Sequence, residues 1–122
     1  MSNPNIAVAS EIFGATEYGS IGTSLASIRT NAASSNAVIK INSLIIVNID
    51  GTNAADVTAT LSTASGVVNV TIAHLITVPA KSNLVLISKD TGFYLLEDKA
   101  INLQASAAGD LNYVLGYEVI AS

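Results

Sequence analysis

Cysteine is absent from the chain, which excludes a disulfide scaffold and thiolate metal sites and leaves the redox compartment open. Histidine occurs once, at His74, whereas the usual zinc sites take His or Cys in numbers. Charge is scarce: 11% of the residues are charged, against about 25% in ordinary soluble domains. The five basic residues, Arg29, Lys40, Lys81, Lys89 and Lys99, stand singly under a net charge of −4. A nucleic-acid surface needs clustered positive charge to displace counterions, so none is expected. No apolar run approaches the ~20 residues of a membrane-spanning helix. The longest candidate, residues 39–49, is broken by Lys40, Asn42, Ser43 and Asn48. The opening MSNPNIAVAS has neither the basic region nor the hydrophobic run of a signal peptide. Asn69-Val70-Thr71 matches a glycosylation sequon, read here as a chance occurrence within a strand.

What the chain does have is apolar residues, 50% of a total of 122. That length makes one domain, able to bury about two-thirds of its unfolded surface without metal or disulfide. From Ala37 onward, short apolar runs follow one another: AVIKINSLIIVNI, ADVTATL, VVNVTI, HLITV, NLVLIS, GFYLL, AINLQA and LNYVLGYEVI. Many alternate with a period of two, as in Val57, Ala59, Leu61 and in Leu111, Tyr113, Leu115, Tyr117, which puts one face of a strand inward and the other toward water. Turn clusters separate them: Asp50-Gly51, expected to need a positive φ, then Ser65-Gly66, Pro79, Asp90-Thr91-Gly92 and residues 107–110. The pattern predicts an all-β domain, an antiparallel β-sandwich of jelly-roll or immunoglobulin-like type with an extended N-terminal arm.

Two runs, Leu44-Ile45-Ile46-Val47 and Leu84-Val85-Leu86-Ile87, are apolar on both faces. They are expected to be central strands, or strands whose outer face another subunit covers. Leu86, Val47, Leu103 and Leu115 are expected in the core. A faint echo links residues 28–39 to residues 76–86: a strand end, a small-residue corner, then a new apolar strand. Two such corners suit a chain that crosses twice between sheets.

Residues 1–36 differ. They are rich in Ala, Ser, Gly, Thr and Asn with isolated apolar residues, and Gly14, Gly19 and Gly22 weaken any helix. They form either edge strands of the same sandwich or an arm that docks on a neighbouring chain, while residues 37–122 form the sandwich domain. Taken as an arm, residues 1–30 should be removable without loss of the fold.

Candidate chemistry is sparse. His74 could act as a general base only with an orienting carboxylate, and is read as structural. Glu97 and Asp98 are adjacent, so on a strand they face opposite ways; they read as a turn. Asp50, Asn53 and Asp56 loosely echo a calcium loop but lack its acidic density. No Gly-x-Ser-x-Gly elbow or phosphate loop occurs. Tyr113 and Tyr117 fall four apart on one strand face and read as core. Phe93-Tyr94 is the one candidate aromatic platform. No catalytic, cofactor-binding or metal residues are assigned, and no enzyme is expected.

The segments INSLIIVNIDGTNAADVT (41–58), TVPAKSNLVLI (77–87), YLLED (94–98), ASAAGDL (105–111) and GYEVI (116–120) resemble the small virion structural proteins of tailed bacteriophages, notably cyanophages. The resemblance covers roughly the last two-thirds of the chain. It departs at Glu97-Asp98-Lys99, where the family often has a Gly after the acidic residue. It implies a β-sandwich of the decoration or cement type, localised to the virion. Its implied partners are the major capsid protein or another virion protein, together with its own copies as a homotrimer. The alternatives are a neck or tail adaptor, a fibre-attachment component, or a carbohydrate-binding sandwich. No catalytic residues come with the resemblance.

Overall fold

The computed structural model describes residues 8–121. Nine strands run through them: β1 (Glu11–Ser20), β2 (Ala26–Asn31), β3 (Ala37–Asn48), β4 (Ala55–Thr63), β5 (Val68–Val78), β6 (Asn83–Ile87), β7 (Phe93–Leu95), β8 (Lys99–Ala105) and β9 (Leu111–Ala121). A single turn of 3-10 helix, Lys89–Thr91, separates β6 from β7. Every pairing is antiparallel. One sheet has the order β1-β9-β3-β6, and β7 shares the β3 edge with β6; the other has the order β2-β8-β4-β5. The chain changes sheet at every connection except β4–β5 and β6–β7. With β6 and β7 counted as one position, this is the eight-position, double Greek-key order of a jelly roll, which decides between the two sandwich types expected. Both echoed corners, β2 to β3 and β5 to β6, carry the chain from the second sheet to the first, but the chain crosses at six connections rather than at the two the echo suggested.

The two sheets meet over a core of wholly buried side chains. Ile41, Leu44, Ile46, Leu111 and Leu115 come from the first sheet, and Val57, Ala59, Ile101 and Leu103 from the second. The phase of β3 is not constant. Its pairing with β9 slips between Ile41 and Ser43, so Ile39 and Ile41 face inward on one side of the bulge and Leu44 and Ile46 on the other. Two glycines make room for it. A Cβ at Gly92 would lie 2.5 Å from the Ile41 carbonyl oxygen, and one at Gly116 would lie 2.9 Å from Ser43 Oγ. The bulge corrects one expectation: Val47 is only half-buried and borders an outer-face hollow. Leu103 and Leu115 are buried, and Leu86 packs partly buried against the core. Of the two runs apolar on both faces, that in β3 is central. That in β6 lies at an edge, with Val85 56% exposed.

The described part of residues 1–36 holds two strands, each outermost in its sheet. All ten residues of β1 pair with β9, and β2 pairs with β8. Between them Ile21 is buried, its N–H donating to the Leu111 carbonyl at 2.9 Å. These pairings run against the expectation that residues 1–30 are dispensable for folding. Residues 1–7 of the expected arm lie outside the described residues.

The turns are built differently from one another. Gly66 (φ 106) closes the β4–β5 hairpin and Gly109 (φ 78) the turn before β9. Gly51 does not take the positive φ expected of it. Instead the Asp50 carboxylate accepts the Thr52 and Asn53 N–H groups at 2.7 and 3.1 Å, an Asx-type turn that needs no left-handed residue. At the two echoed corners, β2–β3 and β5–β6, the left-handed positions are Ser34, Asn36 and Lys81.

Candidate functional site

The residues singled out for chemistry do not converge. His74 is exposed on β5. Asp50 is committed to its turn, and Asp56 accepts the Thr77 hydroxyl at 2.8 Å, so the loose calcium pattern is two separate hydrogen-bonding jobs. Among the described residues no group of three or more His, Cys, Asp or Glu is placed to hold a metal. Glu97 is buried in the turn before β8, where its Oε2 accepts the Asn36 N–H at 3.3 Å. It thereby ties the β2–β3 corner to the β7–β8 turn. Phe93 packs against the core, and only Tyr94 of that pair is exposed.

Two electrostatic groupings stand out. At one end of the sandwich the Asp50 and Asp110 carboxyls lie near enough to shift each other in opposite directions. The Thr52 and Asn53 amides hold Asp50 below the usual carboxylate range, while loss of surrounding water, and then the Asp50 charge, push Asp110 above it. On the β1/β2 side Glu17 accepts from both the Arg29 guanidinium and the Tyr117 hydroxyl, the latter at 2.9 Å. Arg29 also lies over the Tyr117 ring, 5.0 Å from its centroid. Glu17 belongs to one sheet and Arg29 to the other, so the cluster clasps the two edge strands across the open side of the sandwich.

The clasp predicts an alkaline weakness. Burial, then the hydrogen bond to Glu17, raise the Tyr117 hydroxyl above 10.0; burial, then the Glu17 charge, raise Tyr113. The folded protein therefore holds protons that the unfolded chain has released, so stability should fall as pH rises through about 10. Glu17→Gln removes the anion beside both hydroxyls. The decline in urea midpoint between about pH 9 and 11 should become shallower, while the loss at neutral pH stays near 1 kcal/mol because the ion pair is a third exposed. An unchanged alkaline slope would mean that the clasp does not couple to the tyrosines.

The surface is more informative than the polar groups. Large apolar side chains lie exposed along both lateral sides of the sandwich. On the β1 side these are Ile12 (58%), Phe13 (51%) and Tyr18 (79%); on the β5 side they are Val67, Val68, Val70, Leu75 and Ile76. Strand β5 contains no Asp, Glu, Lys, Arg or Pro, the residues by which soluble proteins blunt an open edge. Where β5 faces β7 the two sheets part over a slot of about 200 Å³, walled by Leu61, Val70, Tyr94 and Leu96 and rimmed by Asn69 and Lys99. A shallower, open hollow of about 720 Å³ lies over β1 and β9, where Asn42 Nδ2 donates to Glu118 Oε1 at 3.0 Å. The slot is not legible in the sequence because its walls come from three separate stretches of chain, β4, β5 and the segment around β7.

No family model matches the chain, and no curated protein matches it. Among solved structures it is similar to a Bacillus protein from "endospore appendages", described as "a novel family of disulfide-linked pili". The identity is 14% and the TM-score 0.52, over 92% of this chain and 88% of that one. Weaker likenesses are to the infectious bursal disease virus Gx strain structure (11% identity, TM-score 0.43, 93% of this chain and 34% of that one) and to the VP2 subviral particle of the same virus (13% identity, TM-score 0.33, 92% and 33%). This chain spans about a third of the length of those viral chains. The first likeness is one of fold.

Proposed function

We propose that this protein is a self-assembling structural subunit of a virion, a decoration or cement protein that bridges neighbouring capsomers as a trimer. The observation that carries the reading is the apolar surface left open along β1 and β5 in a domain whose polar residues are spent on its own turns and clasps. Burying that surface at a joint adds stability in proportion to the area removed from water. Low charge fits the same task, because contacts made mainly by apolar surface and backbone are little weakened by salt. The resemblance of residues 41–120 to phage virion proteins points the same way, with the major capsid protein as partner and the virion as location. Such a subunit needs no turnover and no cofactor.

The fold likeness to a pilus protein favours a second reading, a subunit of a tail, neck or fibre. The appendage protein is described as disulfide-linked; this chain has no cysteine, so its copies would hold together by non-covalent surfaces alone. Copy number per particle, measured by quantitative mass spectrometry, separates the two. Copies in the hundreds support a capsid lattice, a handful supports neck or tail, and absence from purified particles sinks both.

A further inference from the structure

We infer that a second copy of this chain fills the slot between β5 and β7, with Phe13 of that copy's β1 as the inserted side chain and its Glu11 set against Lys99 at the rim. The inference rests on the self-assembly reading above and names the surfaces that carry it. Three observations favour a second copy as occupant. The first is size: the slot holds about 200 Å³, and an apolar cavity of about 150 Å³ takes up a benzene ring. Phe13 supplies such a ring at the opposite lateral side of the sandwich, half exposed on an edge strand. The second is charge. Glu11 and Phe13 are two apart on β1, hence on the same side of the strand and about 7 Å apart. Lys99 stands at the slot rim, where its Nζ donates to Asn69 at 3.0 Å. The third is the edge itself. Leu75 takes a left-handed conformation (φ 50), and the β4–β5 register shifts on either side of Ala59, opposite Ala73, and again between Leu61 and Ser62, opposite Val70 and Val68. These irregularities break the ladder along β5, yet residues 68–71 carry Val68 and Val70, both about half exposed, and no charge. What that edge offers a second copy is therefore apolar side chains with no charge to repel them.

Knob and slot lie on different sides of each copy, so the contact is head-to-tail. It closes into a ring if the rotation permits and runs on as a filament if it does not. One geometry therefore serves both the trimer and the fibre readings.

Light scattering behind size-exclusion chromatography tests this on the full chain. Phe13→Asp and Val70→Glu, at half-exposed positions, should each weaken association about thirtyfold or more, the loss expected of a buried aromatic anchor or its pocket, with circular dichroism and melting unchanged. Tyr94→Ala, also at an exposed wall of the slot, should do the same and serves if Val70→Glu does not fold. Mixed together, Phe13→Asp and Val70→Glu should form a dimer and stop there, because only one slot and one ring in each pair remain intact. Lys99→Glu should weaken assembly, and Glu11→Lys in the same chain should restore it. Assembly untouched by all of these variants overturns the slot while leaving self-assembly standing. Variants that lose assembly singly and fail to pair when mixed overturn the head-to-tail geometry. A parent chain that stays monomeric to about 1 mM overturns self-assembly and the slot together.

Discussion

A chain lacking residues 1–30 should fail to fold, showing no cooperative melt and no dispersed proton NMR spectrum. The deletion removes all of β1 and nearly all of β2, the outermost strands of both sheets on one side. Strand β9 then loses its partner over the whole of β1, including the positions opposite Leu115 and Tyr117. Each lost cross-strand pair forfeits roughly 0.2–1 kcal/mol. Ile21, buried in the core, takes with it about 1.5–3 kcal/mol of burial. Two buried polar groups are orphaned as well. The Tyr117 hydroxyl loses Glu17, and Asn102 Oδ1 loses the Ser27 hydroxyl that donates to it at 2.7 Å. Together these reach the 5–15 kcal/mol that a domain has to spare. The new edges, β9 and β8, would then present unpaired backbone groups beside buried apolar side chains, so aggregation should follow. A truncated chain that melts cooperatively would show that residues 37–122 stand alone and would return the N-terminal segment to the role of an arm.

The N-terminal strands were hard to read because their partners supply the bulk. Opposite Gly19 on β1 stands Tyr113, and opposite Ala15 stands Tyr117. A Cβ at Gly19 would already touch the Tyr113 ring at 3.4 Å. The strand needs small residues where its neighbour has rings, so its sequence shows no apolar alternation, the signal that marks a half-buried strand. The strands after Ala37 were legible because the sequences of β4, β8 and β9 alternate apolar and polar residues with a period of two, even though Thr60, Ser62 and Asn102 on the polar positions are themselves buried. Strand β3 was legible as a strand but not in phase. Its bulge depends on Gly92 and Gly116, which reach it only through the fold. The two echoed corners could be seen as small-residue breaks before a new apolar run, though which sheet each left could not, nor the other four crossings. The association surface was legible as an excess of apolar residues and not as a place, since Leu61, Val70, Tyr94 and Leu96 meet only when β4, β5 and the segment around β7 are assembled.

Least visible of all were the buried asparagines, Asn31, Asn48 and Asn102, and Asn48 yields the sharpest test of what they do. Asn48→Ala should cost about 3–5 kcal/mol in urea or thermal unfolding, as much as truncating a core leucine such as Leu115. Asn48 is the last residue of β3. Its Nδ2 donates to the Asn53 and Val78 carbonyls at 3.0 and 2.9 Å, and its Oδ1 accepts the Asp50 N–H at 2.9 Å. One side chain thus satisfies three backbone groups, in the β3–β4 loop and at the end of β5. Alanine leaves all three short of a partner where water has little access, at about 1–3 kcal/mol for each buried group left unmade. Leucine fills the volume but offers no donor and should rescue little. Aspartate separates hydrogen bonding from shape. Ionised, it would set its charge against two carbonyl oxygens, so its pKa in the folded protein should rise above the unfolded value. The folded state then binds the extra proton, and stability should fall as pH rises. Asn48→Asp should accordingly stand closer to the parent protein at about pH 4 than at pH 7. If Asn48→Ala loses less than about 1 kcal/mol, the loop and strand end must find other partners, and the idea that this asparagine locks the end of the sandwich fails.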